Sequence, residues 1–255
     1  MSGVHLRHWP GDPDRPALAL HCMMGTASYW GPIAEGLAGR VDLRAFDFPG
    51  HGRSPAPDPA VDYHTQITRL AAAMIDRPVD LIGHSLGATV ALRIAVAAPE
   101  AIRSLTLIEP TFFAAAPAPD GNALAEQMQA RLNAGYHEDA ARVFMNYWGG
   151  LPFDKLPTPM REAAIRQIPL VMETDPAMRL DSCNLLAEGR LEAIDAPVLL
   201  ITGSDSPAQI HAVVDALAER LPDVGRASVP GAGHMVPITH PAEVAGLIAV
   251  NLERS

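Results

Sequence analysis

In the stretch VDLIGHSLGATVAL, residues 79–92, Ser85 lies two positions from a glycine on either side, Gly83 and Gly87, at the seam of two apolar runs. A buried strand that ends at His84 and turns at once into a helix would hold the serine in strained backbone with its hydroxyl exposed. Glycine at 83 and 87 removes the side chains that would collide in so tight a turn. The plain alternative is a serine that caps an ordinary helix. A hydroxyl is a poor nucleophile alone, so catalysis would further require a base, a group that orients the base, and donors for an oxyanion.

The chain has ten histidines from which to choose the base. His5 and His8 precede the expected sheet, His51 falls in a turn, and His64, His137 and His211 fall in helical patterns. His240, just before Pro241, reads as a capping or surface residue. His234 is different, because VPGAGHMVP (229–237) is a glycine-rich loop directly after the last expected strand. From there a side chain reaches the carboxyl edge of the sheet, where open parallel sheets place their active sites. Ser85 and His234 together point to acyl chemistry. No HExxH is present, and GAGHMV lacks the third glycine of a dinucleotide fingerprint, so neither a metal nor a cofactor is expected.

The elements that must position these residues follow from hydrophobic periodicity. Short apolar runs predict strands at 4–9, 17–22, 42–47, 79–84, 102–109, 197–203 and 226–230. Helical patterns lie between them at 63–76, 86–98 and 208–221; in the first, Ile67, Leu70, Ala71, Met74 and Ile75 form one apolar face. Strands that are apolar throughout, alternating with helices, predict an α/β fold with a mostly parallel sheet covered on both faces. The alternation stops between Thr111 and Arg190, where helices are expected at 121–134, 137–148, 158–173 and 176–188, divided by clusters at Pro117–Gly121, Gly149–Pro152 and Pro157–Pro159. The expected organisation is a core in two parts, 1–110 and 191–255, with a helical cap inserted at 111–190.

Composition limits the partners. At 255 residues the chain can bury a substantial core, and 48% hydrophobic with 19% charged residues is a globular composition. A formal charge of -10 argues against nucleic acid or an anionic membrane, which would require a basic face. The N-terminal stretch has no apolar signal-like run, and Cys22 and Cys183 read as free thiols, so a cytoplasmic location is expected. Oligomeric state is not legible.

Four motifs in this order resemble the α/β-hydrolase family over nearly the whole length. Besides GHSLG, they are LHCMMGTASYW (20–30), which is similar to the loop usually written HGxxG, DFPGHGRS (47–54), which matches the turn DxPGxGxS, and GAGH (231–234). The resemblance implies Ser85 as nucleophile, His234 as base, and an oxyanion hole from the backbone N–H groups of Met23 and Leu86. A donor at Leu86 is physically reasonable, since the first N–H groups of a helix are unpaired and its dipole favours an anion. Cys22 stands where the family usually has glycine. The family acid usually follows three residues after the strand-ending glycine, here Gly203, yet Ser206 occupies that spot. Asp205, one residue earlier, is the favoured acid, and Glu109 at the end of the strand before the cap is the alternative.

The expected activity is a serine hydrolase acting through an acyl-enzyme on a small to medium, largely apolar ester, thioester or lactone. The alternatives are a cofactor-free C–C hydrolase or perhydrolase, or a non-catalytic ligand-binding version of the fold. His21, Cys22, Met145, Trp148, Met172 and Met235 are candidates for the substrate pocket. Met128, Phe144, Met160 and Ile168 are further cap residues that could line it, whereas His51 and Arg53 are expected to shape its wall without reacting.

Overall fold

The computed structural model describes residues 3–117 and 121–255. Seven strands among these residues form one sheet: β1 (Leu6–Trp9), β2 (Pro16–Leu20), β3 (Asp42–Phe46), β4 (Val79–His84), β5 (Ile102–Ile108), β6 (Val198–Gly203) and β7 (Val224–Val229), in the order β1-β3-β2-β4-β5-β6-β7. All neighbours are parallel except β1, which pairs antiparallel with β3 at one edge. The expected α/β architecture is therefore present, with strand ends within two residues of those expected.

Period-two side-chain alternation divides the core between the two faces. Leu18 and Leu20 of β2, Leu81 of β4, Leu105 and Leu107 of β5 and Leu200 of β6 join one apolar cluster. Ala17, Ala19, Ile82, Ile108, Leu199 and Ile201 join the other. Helices α1 (Gly31–Gly36) and, near the C-terminus, Pro241–Leu252 cover the second face through Ile33, Val244, Ala245 and Ile248. The first face is covered by α2 (Tyr63–Ala72) and α3 (Leu86–Ala97), α3 being apolar nearly all round as befits a central helix.

No strand lies between β5 and β6 among the described residues. Three helices fill that interval, α4 (Gly121–Asn133), α5 (His137–Trp148) and α6 (Thr158–Arg179), packing on one another, with α6 reaching α2. The expected divider at Pro117–Gly121 falls largely outside the described residues. The two helices expected at 158–173 and 176–188 are instead one, running through Pro169 and Pro176. Inside a helix proline removes an N–H bond and its ring crowds the carbonyl four residues earlier; burial of Thr174, Ala177 and Met178 offsets that cost locally. The chain leaves the helix at Asp181, whose carboxylate accepts the N–H groups of Leu185 and Leu186. After β6 follow α7 (Ala208–Ala218) and, beyond β7, the short α8 (Val236–Thr239) and α9, the helix Pro241–Leu252 described above. No helix among the described residues is long and apolar enough to cross a membrane.

Candidate active site

Strand β4 delivers Ser85 into left-handed backbone, φ 55° and ψ −117°, a conformation that a non-glycine residue holds only under constraint. The constraint is local: the Ser85 N–H donates to the Ile108 carbonyl at 2.9 Å, and a Cβ at Gly83 or Gly87 would lie 2.4 Å from the Gly87 carbonyl oxygen or 2.2 Å from that of Leu20. The serine stands in the N-cap position of α3, yet its hydroxyl makes no capping bond. It faces His234 instead, at 3.0 Å from Nε2. This geometry sets aside the plain helix-cap reading.

The loop after β2 has its backbone donors almost fully assigned. The Cys22 N–H donates to the Tyr29 hydroxyl (3.1 Å), Met24 N–H to His51 Nε2 (3.0 Å) and Gly25 N–H to the Cys22 carbonyl (3.0 Å). His21 clamps the loop from beneath: its Nδ1–H donates to the Cys22 carbonyl at 2.7 Å, and its Nε2 accepts the Phe48 N–H at 2.8 Å. Burial holds His21 well below the usual imidazole range and His51 at about 4, so both rings are neutral and able to accept. The N–H groups of Met23 and Leu86 have no partner among the described residues. Cys22 does not require a glycine conformation, because the left-handed residue of this loop is Met24 at φ 61°. Burial pushes the Cys22 thiol up to about 12, which keeps it protonated and unreactive.

His234 is brought in by the loop after β7. Its carbonyl accepts a bond from His84 Nε2 at 2.9 Å, while His84 Nδ1 accepts the Tyr29 hydroxyl at 3.0 Å. Burial, with His234 adjacent, lowers His84 to about 3, so this ring stays neutral. A continuous chain of bonds thus links the Cys22 N–H to the backbone of His234 through Tyr29 and His84. Trp148 packs against the His234 ring, with centroids 4.6 Å apart.

The carboxylate facing His234 Nδ1 belongs to Glu109, at 3.0 Å through Oε2, and not to Asp205. Glu109 is fully buried just past β5, with a left-handed backbone at φ 51°. Its other oxygen, Oε1, accepts the Gly203 N–H at 2.6 Å and the Ser206 hydroxyl at 2.7 Å. Asp205 is exposed; its carboxylate accepts the neighbouring Ser204 hydroxyl, and its N–H is tied to the Ala232 carbonyl. The expectation that Asp205 stands beside His234 is therefore corrected: Ser206, where an acid would stand, donates to a carboxylate supplied from the neighbouring strand. Sequence reasoning missed Ser206, Tyr29 and the link through His84. Only the unusual serine at 206 offered a signal.

Two cavities meet at Ser85. The larger, about 390 Å³, is lined by Cys22, Met145, Trp148 and Met235 as expected, together with Phe144, Met160 and His234. The smaller, about 40 Å³, reaches from Ser85 and Leu86 past Met128 to Asp175 and Arg179. Two pocket candidates are corrected: His21 lies beneath the loop, spent on backbone bonds, and Met172 faces a groove on the far side of Arg179. Ile168 is core. His51 and Arg53 belong to the turn after β3, in which Asp47 accepts the Ala27 and Arg53 N–H groups, and neither lines the two cavities. His240 bonds to Thr239 at 2.8 Å and does not join the site.

Known proteins resemble this chain over nearly its whole length. A pimeloyl-[acyl-carrier protein] methyl ester esterase of Nitrosomonas europaea is 28% identical over 95% of this chain and 97% of its own length. Lipase LipV of Mycobacterium tuberculosis is 29% identical over 96% of each. Among solved structures, carboxylesterase CesB from Bacillus subtilis superposes with a TM-score of 0.76 at 19% identity, covering 99% of this chain and 89% of that one, a likeness of fold. The model of the alpha/beta hydrolase family matches residues 17–247, a span that holds all four motifs and the cluster around Ser85, and the chain belongs to that family.

Proposed function

We propose that the protein is a carboxylic ester hydrolase that works through an acyl-enzyme on Ser85, with His234 as base and Glu109 as the orienting acid. The observation that carries this reading is the unbroken pair of 3.0 Å contacts, Ser85 Oγ to His234 Nε2 and His234 Nδ1 to Glu109 Oε2. Glu109 Oε2 accepts Nδ1–H, leaving Nε2 as the acceptor of the serine proton. Ser85 Oγ attacks the carbonyl carbon, its proton passes to Nε2, and the oxyanion receives the N–H groups of Met23 and Leu86. Collapse breaks the bond to the leaving oxygen or sulfur, which takes the proton from the imidazolium. Water then attacks the acyl carbonyl carbon and gives a proton to Nε2; the bond to Ser85 Oγ breaks, Oγ takes that proton back, and the acid leaves. Residues 111–190 act as a cap that closes a small to medium, largely apolar ester, thioester or lactone over Ser85. The printed activities of the Nitrosomonas and Mycobacterium relatives, an ester esterase and a lipase, support the same class.

Labelling with a fluorophosphonate probe and turnover of p-nitrophenyl acetate test this directly. Ser85→Ala should keep the circular dichroism of the wild type, lose labelling and lose turnover by about 10³-fold or more. Retained labelling in that variant defeats the assignment.

A further inference from the structure

The two cavities at Ser85 differ in which catalytic groups they contain. Ser85 and Met23 line both, Leu86 lines only the smaller, and His234 lines only the larger. In a tetrahedral intermediate on Ser85 Oγ, the leaving atom must sit by the group that protonates it, and the oxyanion must sit by its donors. The remaining substituent, the acyl chain, takes the direction left over. Because the proton comes from His234 Nε2, the leaving group occupies the larger cavity. The deacylating water uses the same cavity, since it must give its proton to the same nitrogen.

Resting on the ester-hydrolase reading, we infer that the smaller cavity is the acyl slot and that the Asp175–Arg179 pair is the partition that limits acyl length. The substrate class is then an ester or thioester of an unbranched acyl chain with a bulky apolar alcohol or thiol. The volumes set the shape: about 40 Å³ on the acyl side against about 390 Å³ on the leaving side. A tightly walled slot rejects a branch, because overpacking forces neighbours off their rotamers. At the slot's far end, Arg179 Nε donates to Asp175 Oδ1 at 2.6 Å, and its guanidinium lies 4.6 Å from the centre of the Phe113 ring. Both charged residues also line the groove of about 430 Å³ on the other side, so the pair divides the two spaces. The larger cavity opens through Leu151, Met160 and Ile238, each about half exposed although apolar, a rim against which an extended apolar leaving group can lie.

The test uses p-nitrophenyl esters of unbranched acids of increasing length, the trimethylacetyl ester, and methyl against naphthyl esters of one acid. Active sites are counted with the fluorophosphonate probe in every variant. The wild type should lose about tenfold or more of kcat/KM on the branched acyl ester relative to an unbranched one of equal carbon number, and should favour naphthyl over methyl esters. Arg179→Ala should join slot and groove and move the optimum to longer acyl chains without altering the naphthyl-to-methyl ratio. Ile238→Trp, at the exposed rim, should lower that ratio without moving the acyl optimum. An Arg179→Ala profile identical to the wild type, or the two variants exchanging effects, overturns the assignment while labelled Ser85 leaves the ester-hydrolase reading standing. Failure of the wild type to label removes both.

Discussion

Strands β5 and β6 lie side by side in parallel, with Ile108 opposite Ile201, and each runs into a loop that carries a carboxylate. Glu109 leaves β5 with a left-handed φ, is buried, and bonds to His234, Gly203 and Ser206. Asp205 leaves β6 exposed, and its carboxylate bonds to its own neighbour, Ser204. Two strand ends of the same sheet edge thus differ in what their carboxylates meet: one lies against the imidazole of His234, the other in water. The left-handed conformation costs on the order of 1–3 kcal/mol in a residue with a side chain, and a built network of partners is what sustains it.

Exchanging the carboxyl for its amide tests the comparison most severely. Glu109→Gln should fold and lose about 10⁴-fold in kcat, because the amide no longer holds the imidazole in its working tautomer. An intact rate in that variant would place the acid elsewhere. Moving the acid to the neighbouring strand sharpens the same point: adding Ser206→Asp to Glu109→Gln should recover roughly 10²-fold over the single variant, read as ester turnover, if the second strand end can do the work once a carboxylate stands there.

Removing only the support has a smaller effect. Ser206→Ala deletes one charge-assisted bond to Glu109 Oε1, and kcat/KM should fall by about tenfold, in keeping with about 1.5 kcal/mol for such a bond. A loss as large as that of Glu109→Gln would make Ser206 more than a support.

The contrast between groups whose environment is interior and groups left in water extends to the histidines. Burial lowers His84 to about 3 and His51 and His64 to about 4. A histidine with a lowered folded-state pKa binds its proton more readily when unfolded, so stability rises with pH and is lost as pH falls below the reference near 6.5. Each such group should contribute a slope of about 1.4 kcal/mol per pH unit down to its folded-state pKa. His64 lies outside the site, against Arg93, and His64→Asn should make the fall in denaturant-derived stability between pH 6 and about 4 shallower by one proton. An unchanged slope would mean that His64 titrates in the folded protein as it does in water.

The smallest effect belongs to the other strand end. Asp205→Asn should leave kcat/KM within about twofold of the wild type, as an exposed substitution with little at stake. A crippled Asp205→Asn enzyme would reverse the comparison.

What could be read from the residues and what could not divides along sequence separation. Ser85 was legible because its signal is local: two glycines, a strand before and a helix after, all within a few residues, force the turn whatever surrounds it. His234 was legible for a similar reason, its loop following directly on the last strand at the edge where the serine also lies. The α/β architecture followed from periodicity, which is local as well. Glu109 is only an alternative by sequence because its case rests on contacts with residues 94, 97 and 125 positions away, Gly203, Ser206 and His234. Likewise Pro176, which by its own chemistry breaks an isolated helix, is carried through α6 by packing that the chain does not announce. His21 and Met172 were misplaced because a side chain's type says it can line a pocket, whereas which side of a loop or helix it faces depends on how distant elements dock. The amino-acid sequence by itself determined the serine turn, the histidine loop and the sheet that presents them, since those depend on neighbours along the chain. Only the tertiary structure decided which carboxylate meets His234 and the shape of the cavities, since a buried carboxylate and a packed wall are each defined by partners that folding alone brings within reach.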